Sequence, residues 1–150
     1  MTAKSRASVT LSATTGLEPA AALDVIKRAA NKVKGGGKSL LTTGLMNLGA
    51  EVHVEESHDG WLGLSITSGK RLIELCTFRA RASSSDGAKT RLTVGGLDRY
   101  KTSQSAFLGL IPTGPKKIPG YDPYRRFLDQ VAADLRAADN AATISIDQAH

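Results

Sequence analysis

Cysteine is almost missing from this chain: Cys76 stands alone, which excludes an internal disulfide and any cysteine-rich zinc module. Aromatic residues are scarce too, at 5%, so a core has to be assembled from Ala, Val, Leu and Ile. No apolar run approaches the roughly 20 residues that cross a bilayer as a helix. The basic start, Met1 to Arg6, leads into Ala7 to Thr15, where Ser and Thr interrupt any signal-peptide core. A lone thiol with no export signal fits the reducing cytoplasm, the expected compartment.

What is present is enough for a folded unit. A chain of 150 residues with 41% hydrophobic composition can bury most of its apolar surface without a disulfide, metal or cofactor. The reading is one domain over residues 1–140, followed by a flexible tail over 141–150. The net charge of +6 is unevenly spread. Lys4, Arg6, Lys27, Arg28, Lys32, Lys34 and Lys38 face only Glu18 and Asp24 in the first third of the chain, whereas the last 24 residues are net acidic. Such asymmetry draws an anionic partner without specifying a fold or a reaction.

Hydrophobic periodicity supplies the element order. Ser8 to Ala13 alternates polar and apolar, the mark of a half-buried strand. Thr15-Gly16-Leu17-Glu18 has capping-box spacing, and Pro19 suits a first helical turn. Ala22, Val25, Ile26, Ala29, Ala30 and Val33 then form a helical stripe that Gly35-Gly36-Gly37 ends, with a partly helical connection over Leu40 to Leu48. From Ala50 the period becomes two: Val52 and Val54, then Leu62, Leu64 and Ile66, then Leu72 to Phe78, then Leu92 and Val94. The separators are too short for crossover helices, so these strands are expected to run antiparallel. A further strand is expected over Ser103 to Ile111, ended by Pro112, and an irregular loop from Pro112 to Gly120. Asp122-Pro123 reads as an N-cap with proline at the first helical position, opening a helix to Ala138. Its apolar stripe is Tyr124, Phe127, Leu128, Val131 and Leu135. Thr143 to Ile146 becomes an edge strand if something receives it.

The predicted fold class is therefore α+β: a curved antiparallel sheet wrapped around a long C-terminal helix, with an N-terminal strand followed by a helix. This order, from Ser5 to Asp139 and with Ile118-Pro119-Gly120-Tyr121-Asp122-Pro123 leading into the last helix, resembles the helix-grip superfamily of START-like and polyketide-cyclase-like (SRPBCC) proteins. The resemblance is one of topology and carries no catalytic motif. It implies a small apolar ligand held between sheet and terminal helix, with Phe78, Tyr124, Phe127, Leu128, Val131 and Leu135 as its wall. The same elements also fit a smaller sheet packed flat on two helices, with a filled core and no ligand. In that case the chain is an interaction or regulatory module that meets an anionic partner on a basic surface.

Candidate chemistry is sparse. Gly35 to Ser39 imitates the end of a phosphate-binding loop, but Lys32 stands where the leading glycine belongs and the segment follows a helix, so it reads as a helix end. His53 and His58, five apart on a strand, fall on opposite faces, and no acidic or cysteine pair completes a metal set. Cys76 reads as a small buried hydrophobe. Glu74 is the one catalytic candidate: if Cys76, Phe78 and Ala80 face the core, strict alternation puts Glu74 there as well, an interior carboxylate with acid/base value in a cyclase-like enzyme. The opposite register points Ile73, Leu75 and Thr77 inward and leaves Glu74 in water, and it buries Arg79 unless the strand has ended or bulged. Lys116, Lys117, Arg125 and Arg126 cluster at the last loop-to-helix junction as the anion-binding candidates. Tyr121 and Tyr124 are the only stacking rings nearby, so specific nucleic-acid recognition is not expected there.

Overall fold

The computed structural model describes residues 3–33, 50–68, 73–85, 87–102, 106–107, 111–112 and 118–148. The glycine run and connection over 34–49, Leu72, Ser103 to Ser105, Leu108 to Leu110, and Lys116 and Lys117 lie outside the described residues. In chain order the elements begin with α1 (Ala3–Ala7), β1 (Val9–Thr15) and α2 (Pro19–Lys32). A meander follows: β2 (Glu51–His58), β3 (Trp61–Ser68), β4 (Ile73–Ser85) and β5 (Lys89–Gly95). The short strands β6 (Arg99–Tyr100), β7 (Ala106–Phe107) and β8 (Ile111–Pro112) precede α3 (Tyr121–Ala138) and β9 (Thr143–Gln148).

The strands make one open, seven-stranded antiparallel sheet in the order β2-β3-β4-β5-β1-β9, with β6 also on β4. Every neighbour in it is antiparallel, as the short separators require. The stretch 143–148, expected as a loose tail or an edge strand, is the edge strand. β1 receives it, pairing Ala13 with Ile144 and Leu11 with Ile146. The strand expected over Ser103 to Ile111 is not continuous: Ala106–Phe107 and Ile111–Pro112 pair with each other in a separate two-stranded ladder.

Alternation sorts the sheet into two faces. Leu11, Leu62, Leu64, Ile66, Phe78, Leu92 and Val94 are buried on the face that carries α2 and α3. The opposite face presents Ser12, Thr14, Ser65, Thr67, Thr77, Arg79, Arg81, Arg91 and Thr93. α2 sends Ala22, Val25, Ile26, Ala29 and Ala30 into the core, and small alanines let it lie close beside α3. Lys32 Nζ reaches Asp134 Oδ1 at 2.9 Å and ties the two helices on their outer side.

Both helix starts differ from expectation. α3 begins at Tyr121 with Gly120 as its N-cap, so Asp122 sits exposed in the first turn and makes no cap hydrogen bond. The reason is close packing: a Cβ on Gly120 would lie 3.0 Å from Cys76 Sγ and 3.1 Å from Leu75 Cβ, so the chain must enter the helix there without a side chain. Thr15 and Glu18 do not form a capping box either; Glu18 is the N-cap of α2 and makes no side-chain cap hydrogen bond. Thr15 Oγ1 instead donates to Asp139 Oδ2 at 2.7 Å, beside the Gly16 N–H at 2.9 Å. With Ala141 N–H on the other oxygen at 3.1 Å, Asp139 staples the end of α3 to the β1–α2 turn. The Gly16 N–H first, and then the Thr15 hydroxyl, hold its carboxyl below the ordinary value of 3.8.

Between β5 and β6 the chain turns sharply at Gly95 (φ +99°) and Gly96 (φ +61°). β4 pairs with β5 through Ala80 to Ser85 and with β6 through Cys76 and Thr77, so the two short strands follow one long strand around a corner. Tyr124 from α3 fills that corner. Its hydroxyl donates to the Val9 carbonyl and accepts from Gly96 N–H at 3.1 Å. A Cβ on Gly95 would overlap the same hydroxyl.

Candidate functional site

On the helix-covered face, the residues expected to wall a ligand come together. Phe78 meets Tyr124 edge-on, with centroids 5.0 Å apart, and Phe127 at 5.5 Å. Leu128, Val131 and Leu135 continue the contact along α3, and all six side chains are buried in one apolar cluster. Ring against ring at these distances is ordinary core packing. Burial also pushes the Tyr124 phenol well above its usual range, so it acts as a neutral hydrogen-bonding hydroxyl. Cys76 lies in the same cluster, and desolvation, with the Glu74 charge adding to it, pushes its thiol up to about 12. That thiol is a packing group and not a nucleophile at neutral pH.

The expected basic junction is only partly visible. Arg125 pairs with Asp129 one turn on, at 3.5 Å, and Arg126 is exposed. Lys116 and Lys117 are outside the described residues.

Glu74 is on the other face, and the interior placement that strict alternation predicts is corrected. β3 and β4 stay in register from Trp61–Arg81 to Ile66–Cys76, and then Thr67 pairs with Glu74, leaving Leu75 as an extra residue. The bulge reverses the alternation, so Glu74 shares the open face with Thr67. Its side chain is half exposed and lies 3.6 Å from Arg99. A second bulge, at Glu55 in β2, does the same on the far side of β3.

The two bulges flank a cleft of about 680 Å³ on the open face. Its floor is β3, where Gly63 leaves room and Ser65 and Thr67 are only 1% and 5% exposed. Ser65 Oγ donates to Glu55 Oε1 at 2.8 Å, and Thr67 Oγ1 lies 3.0 Å from His53 Nε2, which Glu51 also approaches at 3.3 Å. The walls carry two loose ion pairs, Arg79–Asp98 at 3.7 Å and Arg99–Glu74 at 3.6 Å, with Glu56 at one end. Trp61 is sandwiched, with His58 stacked at 4.3 Å and the Arg79 guanidinium 5.0 Å from its ring centre. Four carboxylates against two guanidiniums leave the lining net negative, with hydroxyls at its base.

This arrangement can orient a polar molecule, and its two buried hydroxyls, Ser65 and Thr67, are each already engaged by a basic group, the Glu55 carboxylate and the His53 imidazole. Among the described residues no group of three or more His, Cys, Asp or Glu is placed to hold a metal ion, and no helix is long and apolar enough to cross a membrane. The sequence shows Ser65, Thr67 and Arg79 only as polar alternates in strands, and does not single out Asp98 and Arg99 at all. Two bulges and a broken strand bring them together, and none of these has a signature in residue spacing. Comparison of the chain with protein-family models, with curated proteins and with solved structures gives no match.

Proposed function

We propose that this chain is a non-enzymatic binding domain that takes a small polar molecule bearing a cationic group in the open-face cleft, while the helix-covered face serves as scaffold. The observation that carries this reading is the cleft itself: about 680 Å³, within the size range of small-molecule sites, net negative, and floored by two buried hydroxyl side chains. A cationic ligand would stand between Glu74 and Asp98, displacing long, half-exposed ion pairs that hold little energy. Ser65 and Thr67 would read its polar atoms from below. The test is ligand-observed NMR against amines, amino acids and betaines, followed by titration calorimetry on any hit. Glu74→Gln with Asp98→Asn is expected to weaken a hit at least about tenfold, the scale of one lost charge-assisted contact. Hits that bind the double variant as tightly as the parent chain would defeat the proposal.

A second reading, the apolar ligand of a helix-grip protein, is favoured by one observation. The antiparallel sheet with its C-terminal helix packed on one face is compatible with that topology. The ligand would then lie where Phe78 and Phe127 now meet. Thermal shifts with fatty acids, sterols and polyketides test it: stabilisation that Phe127→Ala changes and Glu74→Gln does not would select this reading over the cleft.

A further inference from the structure

We propose that the basic half of the open sheet face, over β4, β5, β1 and β9, binds the phosphate backbone of nucleic acid without reading its bases. The proposal is independent of the cleft. Arg81 pairs in register with Thr93, and Arg91 with Ser83, so the two arginines are diagonal neighbours on adjacent strands. At such a diagonal the backbones are about 7–8 Å apart, close enough for two guanidiniums to grip one phosphate. Both side chains are exposed, and among the described residues neither has an ion-pair partner, unlike Arg79, Arg99 and Arg125. Like charges placed side by side on a sheet cost stability, and a bound anion relieves that cost.

Hydroxyls continue the pattern. Across the strands, Arg81 is followed by Thr93, Ser12 and Ser145, and Arg91 by Thr14 and Thr143. A shallow groove of about 450 Å³ runs over Arg91 and these hydroxyls, and no acid lines it. Asp147, the acid that β9 adds to this face, is opposite Thr10, further along β1. Lys89, two residues before Arg91 on the same face, adds a further positive charge. Arginine with serine and threonine hydroxyls is the donor set that contacts phosphate oxygens. The one tryptophan is enclosed between His58 and Arg79, and no aromatic residue lines the groove for base stacking. Among the described residues the exposed large hydrophobics, Ile73 and Tyr100, are off this groove, so its own lining offers a bilayer no large exposed apolar side chain.

The test is fluorescence anisotropy of a labelled oligothymidine of about 20 nucleotides with the full chain, from about 20 to 200 mM salt. Two to three phosphate contacts give a slope of log K against log salt of about −1.4 to −2.1. Arg81→Gln with Arg91→Gln is expected to weaken binding at least about tenfold at low salt and to flatten the slope by about one. Arg28→Gln with Arg136→Gln, on α2 and α3, should change neither. Circular dichroism melts establish that both double variants stay folded. Three results would overturn the proposal: no binding by the parent chain at the lowest salt, equal binding by the Arg81/Arg91 variant, or a preference for phosphatidylserine vesicles over the oligonucleotide.

Discussion

Replacing Tyr124 with phenylalanine removes one oxygen from the corner between β5 and β6, and the structure allows the cost to be worked out. The hydroxyl donates to the Val9 carbonyl and accepts from Gly96 N–H, and Val9 and Tyr124 are both buried. Stranding a buried backbone group costs about 1–3 kcal/mol. The two losses do not simply add, because Gly96 N–H keeps a long bond of 3.4 Å to the same Val9 carbonyl. About 2 kcal/mol is therefore expected for Tyr124→Phe, measured by urea unfolding at constant m-value, or about 4–8 °C in Tm for a chain of this size. Gly95→Ala should cost more, since φ at +99° is a strained region for alanine and its methyl would overlap the hydroxyl. Combining the two changes removes the worst overlap, leaving the strain and tight contacts of 3.0 and 3.3 Å to the ring carbons. The double variant is thus expected to be more stable than additivity predicts, by at least about 1 kcal/mol. A Tyr124→Phe effect below about 0.5 kcal/mol, or strict additivity in the cycle, would refute the placement of the hydroxyl at this corner.

Phe127→Ala should destabilise the chain by about 3–5 kcal/mol in the same unfolding assay, as expected when a fully buried ring in contact with Phe78 is deleted; a cost under 1 kcal/mol would indicate space around the ring. The Asp139 carboxyl is held below its ordinary 3.8 in the folded chain, so its contribution is complete above that value and is lost as pH falls through the folded value. Asp139→Asn should accordingly flatten the acid limb of the stability profile below about pH 4 and leave its shape at neutral pH unchanged. Cys76, with its thiol at about 12 and buried, should resist Ellman's reagent at pH 8 until the chain unfolds. Labelling of the native protein within seconds would contradict that burial.

The core was legible because period-2 and period-3.6 patterns follow directly from backbone geometry. Leu62, Leu64 and Ile66, and the stripe from Tyr124 to Leu135, face one another as their spacing requires. What spacing does not encode is an interruption of itself. Leu75 is an ordinary strand residue by composition, yet as the bulged residue it moves Glu74 from the core face to water. Thr15 Oγ1 does accept from a nearby N–H, that of Leu17 at 3.2 Å, but the group its hydroxyl donates to, Asp139, is 124 residues away. The cleft and the Arg81/Arg91 pair are likewise products of register, which depends on how strands settle against each other.

β1 sits between β5 and β9, so both of its neighbours come from much later in the chain. It leaves the ribosome before either neighbour and is paired late: its ladder with β5 waits for Lys89 to Gly95, and its ladder with β9 for Thr143 to Gln148. Until then, a strand of alternating Val, Leu and Ala has two open edges, the condition under which chains pair wrongly with each other. Such long-range closure makes for slow folding. The interval between synthesis of Thr15 and of Gln148 is therefore the period in which this protein most needs protection from its own copies.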